Sequence, residues 1–189
     1  MKDKSVKSFY LEQIKLQQLE QNESQEKLIR KLDSLKESLE KPDIFKRTSK
    51  LFHRVSNFKN LFTTKGLYIH GGVGVGKSML MDLFFGVIKI KRKRRVHFHE
   101  FMSEVHENID IARSKKNSDP IKEVALRIIK ENDLICLDEI QINDVADAMI
   151  VGRLFEHFFR RKLVVVTTSN RAPIDLYKDG LNRQLFLPF

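Results

Sequence analysis

Gly71-Gly72-Val73-Gly74-Val75-Gly76-Lys77-Ser78 fits the pattern GxxxxGK[ST] and decides how the rest of the chain is read. The apolar run Gly66 to His70 precedes it and a helical pattern, Lys77 to Ile88, follows it, which is the context the pattern requires. Glycines at these positions let successive backbone N–H groups turn inward around phosphate oxygens, and the following helix adds its positive end. In that arrangement Lys77 reaches the β and γ phosphates and Ser78 coordinates magnesium. All eight residues, Gly71, Gly72, Val73, Gly74, Val75, Gly76, Lys77 and Ser78, are therefore assigned to nucleotide binding, against the plainer alternative of a glycine-rich turn that only links strand to helix.

Outward from this loop, short apolar runs alternate with longer helical patterns, the grammar of a parallel sheet covered by helices. Strands are expected at Gly66 to His70, Arg95 to His99, Asp133 to Asp138 and Leu163 to Ser169. Helices are expected at Lys77 to Ile88, Phe101 to Lys115, Pro120 to Glu131 and Asp144 to Arg161, with Asp119 capping the third and Pro120 at its first position. The fold class is α/β, a nucleoside-triphosphatase sheet around a phosphate loop.

Leu134-Ile135-Cys136-Leu137-Asp138-Glu139 ends an apolar strand in two carboxylates. Beside bound phosphates, Asp138 would hold the magnesium shell, and Glu139 would accept the proton of an attacking water. Leu163 to Ser169 ends at Asn170, whose amide can bond the attacking water or the γ phosphate, or simply start a turn before Arg171-Ala172-Pro173. Arg183, in Gly180-Leu181-Asn182-Arg183-Gln184-Leu185-Phe186, is the arginine assigned to stabilise transferring charge across a subunit interface; Arg171 and Arg153 rank behind it.

Three further segments frame this core. Residues 1–41 are read as an N-terminal helical segment, with Leu28, Leu32, Leu35 and Leu39 giving an amphipathic helix between Asn22 and Lys41. Residues 42–65 form a connector with six basic residues and one acidic, carrying enough apolar side chains to lie on the core; residues 66–189 are the nucleotide-binding core. The 189-residue chain has 35 Lys and Arg against 25 Asp and Glu, a net charge of +10, of which Lys89 to Arg95 holds six basic residues. That block is read as a solvated loop before a strand, with nucleic acid, anionic lipid or an acidic partner as the alternatives.

Several function classes fall away. No apolar run approaches the roughly 18 to 20 residues of a membrane helix. The single Cys136 excludes an internal disulfide and fits a reducing compartment, and the N-terminal residues have no apolar signal core, so a cytoplasmic location is expected. His97 and His99 are expected on one strand face, with His106 nearby, but zinc wants three or four ligands and no further cluster is evident.

Four stretches, GLYIHGGVGVGKSMLMDLFF, VHFHEFMSEVHENI, ICLDEIQINDVADAMIVGRLFEHFF and VVVTTSNRAPIDLYKDGLNRQLFLPF, together resemble the ZapE family of AAA+ ATPases from about Gly66 to Phe189. The resemblance implies the AAA+ large subdomain, with Walker A at Gly71 to Ser78, Walker B at Asp138 and Glu139, the sensor-1 amide at Asn170 and the arginine finger at Arg183. It implies ATP and magnesium as cofactors and ATP hydrolysis coupled to regulating or remodelling a protein partner, with FtsZ of the division ring or a membrane-associated client as candidates. It further implies homo-oligomers and a cytoplasmic protein peripheral to the inner membrane or division site. Val75 stands where relatives commonly carry a basic residue, and the sequence ends at Phe189, before the small helical lid of an AAA+ module. From that ending we expect ATP contacts to form while hydrolysis and assembly are impaired. The competing expectations are a nucleic-acid adaptor of the helicase-loader kind and a lidless remnant that binds ATP without turnover.

Overall fold

The computed structural model describes residues 5–17, 21–40, 66–115 and 118–176. The connector 42–65 and the expected arginine finger, Arg183, lie outside the described residues. The chain divides into two compact units, Met1–Thr64 with Asp82–Ile90, and Lys65–Met81 with Lys91–Phe189.

The second unit holds the sheet. Its strands are β1 (Gly66–His70), β2 (Lys93–His97), β3 (Leu134–Asp138) and β4 (Val164–Ser169), in the order β1-β4-β3-β2, with all three pairings parallel. The two inner strands, LICLD and VVVTTS, are buried at every residue, as expected of near-continuous apolar runs covered on both faces. Helix α3 (Lys77–Val87) follows the glycine loop; α4 (Phe98–Ser114), α5 (Pro120–Glu131) and α6 (Val145–Arg160) come after it, and a 3-10 turn, Pro173–Asp175, follows β4.

Local chemistry explains most helix boundaries. Asp119 accepts the N–H of Lys122 at 3.1 Å and Pro120 opens α5; Asp144 accepts the N–H of Asp147 at 2.8 Å and opens α6. The core joins Phe101, Val105 and Ile109 of α4, Val124 and Ile128 of α5, and Leu154 and Phe158 of α6 to Ile135, Leu137 and Val165 of the sheet.

One strand departs from expectation. β2 spans Lys93–His97 rather than Arg95 to His99, because Lys93 pairs with Leu134 and His97 with Asp138, and the backbone turns helical at Phe98. Phe98, Phe101, Met102, Val105, Ile109 and Ala112 are the buried stripe of α4, a helical period that begins one residue before the end of the expected strand. His99 therefore sits on a helix, and His97 and His99 share no strand face.

The basic block is a loop only in its first part: Lys89 to Arg92 are irregular and mostly exposed, as expected ahead of a strand, but the block then runs on into the sheet. Lys93, Arg94 and Arg95 lie in β2, while Arg92 pairs with Asp133, Arg94 with Glu104 and Arg95 with Asp138.

In the first unit, α1 (Val6–Lys15) packs on α2 (Glu23–Glu40). Val6 and Tyr10 are buried on α1, and Ile29, Leu32 and Leu35 on α2, while Leu28 and Leu39 are half-buried. Asp33 accepts the N–H groups of Val6 at 2.7 Å and Lys7 at 3.1 Å, satisfying donors that the first turn of α1 leaves unpaired. α1 is a helix beyond the one expected between Asn22 and Lys41. Its signal is Val6, Phe9, Tyr10 and Ile14 at helical spacing, with Ser5 accepting the N–H of Ser8.

Candidate nucleotide site

The strand order places the site. Because β4 lies between β1 and β3, the loop after β1, the residue after β4 and the acidic end of β3 meet at the carboxyl edge of the sheet, where ligands of parallel α/β sheets bind. The loop N–H of Gly71 is tied to the carbonyl of Ser169 at 3.3 Å, holding the loop's first residue against β4. Within the loop, Gly74 and Gly76 take φ of +79° and +84°, backbone that residues with a Cβ rarely adopt. Val73 and Val75 are exposed on it.

The structure brings together most of the residues assigned from sequence. Lys77 Nζ donates to the carbonyls of Gly71 at 2.9 Å and Gly72 at 2.6 Å and to Asn170 Oδ1 at 2.9 Å. Ser78 Oγ donates to Asp138 Oδ1 at 2.8 Å. Asp138 is buried, 1 % exposed, and its Oδ2 accepts Arg95 Nη2 at 2.8 Å. Glu139 lies one residue past β3 at φ +57°; it is exposed, and its carboxylate makes no hydrogen bond or ion pair among the described residues.

Ser78 Oγ and the Asp138 carboxylate are hard oxygen donors on adjoining elements. That donor set suits magnesium, which takes one or two protein oxygens and completes its shell with phosphate oxygens and water. Among the described residues no group of three or more His, Cys, Asp or Glu side chains could hold a metal, so the histidines of β2 and α4 form no such site.

Two residues of this site were missed from sequence. Thr168, fully buried in β4, donates its hydroxyl to Asp138 Oδ1 and accepts the N–H of Glu139 at 2.8 Å. Its only sequence signal is a hydroxyl inside an apolar strand run. Arg95 was counted into the basic block, where nothing marked it as the partner of an acidic residue one strand away.

Of the minor arginine candidates, Arg153 makes a two-pronged contact with Asp119, 2.9 Å to each oxygen. Arg171 is held through its backbone, whose carbonyl accepts the Tyr68 hydroxyl at 2.9 Å. Burial raises the Tyr68 phenol above its ordinary value, and a hydrogen bond with the Ser169 side chain offsets part of that rise.

A glycine phosphate loop, an acidic pair where β3 ends and a strand-end amide on a parallel sheet have the arrangement of the P-loop nucleoside-triphosphatase fold. The family model for AFG1-like ATPases matches residues 4–189, and the chain belongs to that family. It is 48 % identical over 134 residues to lactation elevated protein 1 homolog B of Danio rerio, covering 66 % of this chain and 27 % of that protein. It is 42 % identical over 142 residues to cell division protein ZapE of Escherichia coli K12, covering 75 % of this chain and 37 % of that protein. The chain thus spans roughly a quarter to a little over a third of the length of these relatives. In fold it is similar to AMPPCP-bound DnaA from Aquifex aeolicus, with a TM-score of 0.55, 18 % identity, and coverage of 90 % of this chain and 45 % of that one.

Proposed function

We propose that this chain binds ATP with magnesium at Gly71 to Ser78 and hydrolyses it. The observation that carries the reading is the meeting of Walker A and Walker B: Ser78 Oγ lies 2.8 Å from Asp138 Oδ1 while Lys77 Nζ sits among loop carbonyls and Asn170. Loop N–H groups and the start of α3 hold the phosphates. Ser78 and Asp138 would hold magnesium, which would supply charge neutralisation to the nucleotide's phosphates. The exposed Glu139 accepts a proton from water as its oxygen bonds to the γ phosphorus, the bond from that phosphorus to the β–γ bridging oxygen breaks, and ADP and phosphate leave. Asn170 orients the water or the γ phosphate, and Arg183 of a neighbouring subunit supplies charge.

Turnover is further proposed to regulate or remodel a protein partner in cell division, as the name of the E. coli relative suggests, with FtsZ as the first candidate. A nucleic-acid role has less support, because Arg92, Arg94 and Arg95 of the basic block are engaged by Asp133, Glu104 and Asp138.

Phosphate release and ATP binding, measured on the same samples, test the reading. Lys77→Ala should lose binding and turnover together. Glu139→Gln should keep binding while turnover falls by about 10²- to 10⁴-fold. Binding indifferent to Lys77→Ala would remove the site, and turnover indifferent to Glu139→Gln would remove the assigned base. ATP-dependent co-sedimentation with FtsZ polymers checks the partner.

A further inference from the structure

We infer that Thr168 is the positioning residue that sets both acidic groups of the site, through its hydroxyl. The inference rests on the ATPase reading above and adds a residue that reading does not use.

A threonine hydroxyl has one proton to donate and two lone pairs to accept with. Thr168 spends the proton on Asp138 Oδ1 and accepts the N–H of Glu139 at 2.8 Å. Its backbone carbonyl accepts the N–H of Ile140 at 2.7 Å, so one residue of β4 holds three consecutive residues where β3 ends. Glu139 needs such holding, because φ of +57° is an uncommon and costly conformation for a residue with a side chain. Strain of this kind persists only where the surroundings over-determine it. The neighbouring hydroxyl cannot take over the task, since Ser169 Oγ donates to the carbonyl of Ile140 at 2.9 Å.

The two bonds serve different ends. The bond to Asp138 fixes the oxygen that also accepts from Ser78, and hence the magnesium donor pair. The bond from Glu139 fixes the turn that leaves its carboxylate exposed at the edge where phosphates bind. Thr168 is 0 % exposed, so it acts through Asp138 and Glu139 and not on a ligand itself.

Thr168→Val keeps the shape and removes the hydroxyl; Thr168→Ser does the reverse. ATP affinity is measured with magnesium and with EDTA, and kcat and KM are taken from phosphate release. Thr168→Val should lose about tenfold of the gain in affinity that magnesium provides and about a hundredfold in kcat, with affinity in EDTA unchanged. Thr168→Ser should stay within about threefold of the natural chain on each measure. If Thr168→Val does not fold, Thr168→Ser against Thr168→Ala isolates the same hydroxyl. A valine variant that matches the natural chain, or a serine variant as impaired as valine, overturns the inference and leaves the ATPase reading standing. A natural chain without Lys77-dependent ATP binding overturns the ATPase reading instead. Hydrogen exchange at the Glu139 amide then decides the inference by itself: protection lost in Thr168→Val and kept in Thr168→Ser supports it, and protection kept in both overturns it.

Discussion

Replacing Arg95 by methionine removes the guanidinium from Asp138 while keeping most of the side-chain volume. The Asp138 carboxylate is 2 % exposed and the Arg95 side chain 24 % exposed, with 2.8 Å between Nη2 and Oδ2. Breaking a fully buried pair by removing one partner costs about 3–5 kcal/mol, because the remaining charge is left uncompensated. Two features of this pair reduce that figure. Arg95 is partly wet, and Oδ1 keeps the hydroxyls of Ser78 and Thr168. The expected loss is therefore about 2–3 kcal/mol, near the value of a charge-assisted hydrogen bond. In urea unfolding this appears as a lower midpoint at unchanged slope, and in thermal unfolding as a fall of about 5–10 °C for a chain of this size. Asp138→Asn removes the charge that needs compensating, so the double variant should be less destabilised than the sum of the single variants by about 1.5 kcal/mol or more. A single-variant loss below about 0.5 kcal/mol, or additivity in the cycle, would show that Arg95 does not compensate Asp138.

Gly66→Ala should destabilise the sheet by about 2–4 kcal/mol, since a Cβ there would lie 2.0 Å from the carbonyl oxygen of Val165 on the paired strand, and urea unfolding measures it. Tyr68→Phe tests the strap between β1 and the segment after β4. The folded chain holds the Tyr68 proton above its ordinary value of 10.0, so above that pH the folded state carries more protons than the unfolded one and stability falls as pH rises. Below pH 10.0 the stability difference between the natural chain and the variant should be flat; above it, the difference should decline, and unfolding at a series of alkaline pH values reads it.

The parts of the fold legible in the sequence are those where one physical signal dominates. β3 and β4 open on apolar runs, Leu134 to Leu137 and Val164 to Val166, the glycine loop admits few other readings, and Asp119-Pro120 caps and opens α5 where expected. β2 was displaced because three of its five residues are basic, and a strand that opens Lys93, Arg94 and Arg95 is indistinguishable by composition from a charged loop. What makes it a strand is non-local: parallel pairing with β3, and acidic partners at Glu104 and Asp138 that periodicity cannot reveal. In the same way Asp138, Ser78 and Lys77 were found from local pattern, while Thr168 and Arg95, which join them across strands, were not.

These cross-strand contacts bear on how the site senses its ligand. The Lys77 ammonium has three protons, and the structure gives them three protein acceptors: the carbonyls of Gly71 and Gly72 and the amide oxygen of Asn170. A phosphate oxygen that takes one of these donors must displace an acceptor already in place. The two carbonyls belong to the loop that wraps the phosphates, so giving them up distorts the cradle; Asn170 is an exposed side chain at the end of β4 and can rotate away. Displacement at Asn170 is thus the least costly exchange, and it frees the amide for water or the γ phosphate. β4 holds Asp138 and Glu139 through Thr168, and the segment that follows Asn170 meets Tyr68 through the carbonyl of Arg171. On the ATPase reading, the exchange of Asn170 for phosphate at Lys77 takes place two residues from Thr168, the residue of β4 that holds Asp138 and Glu139.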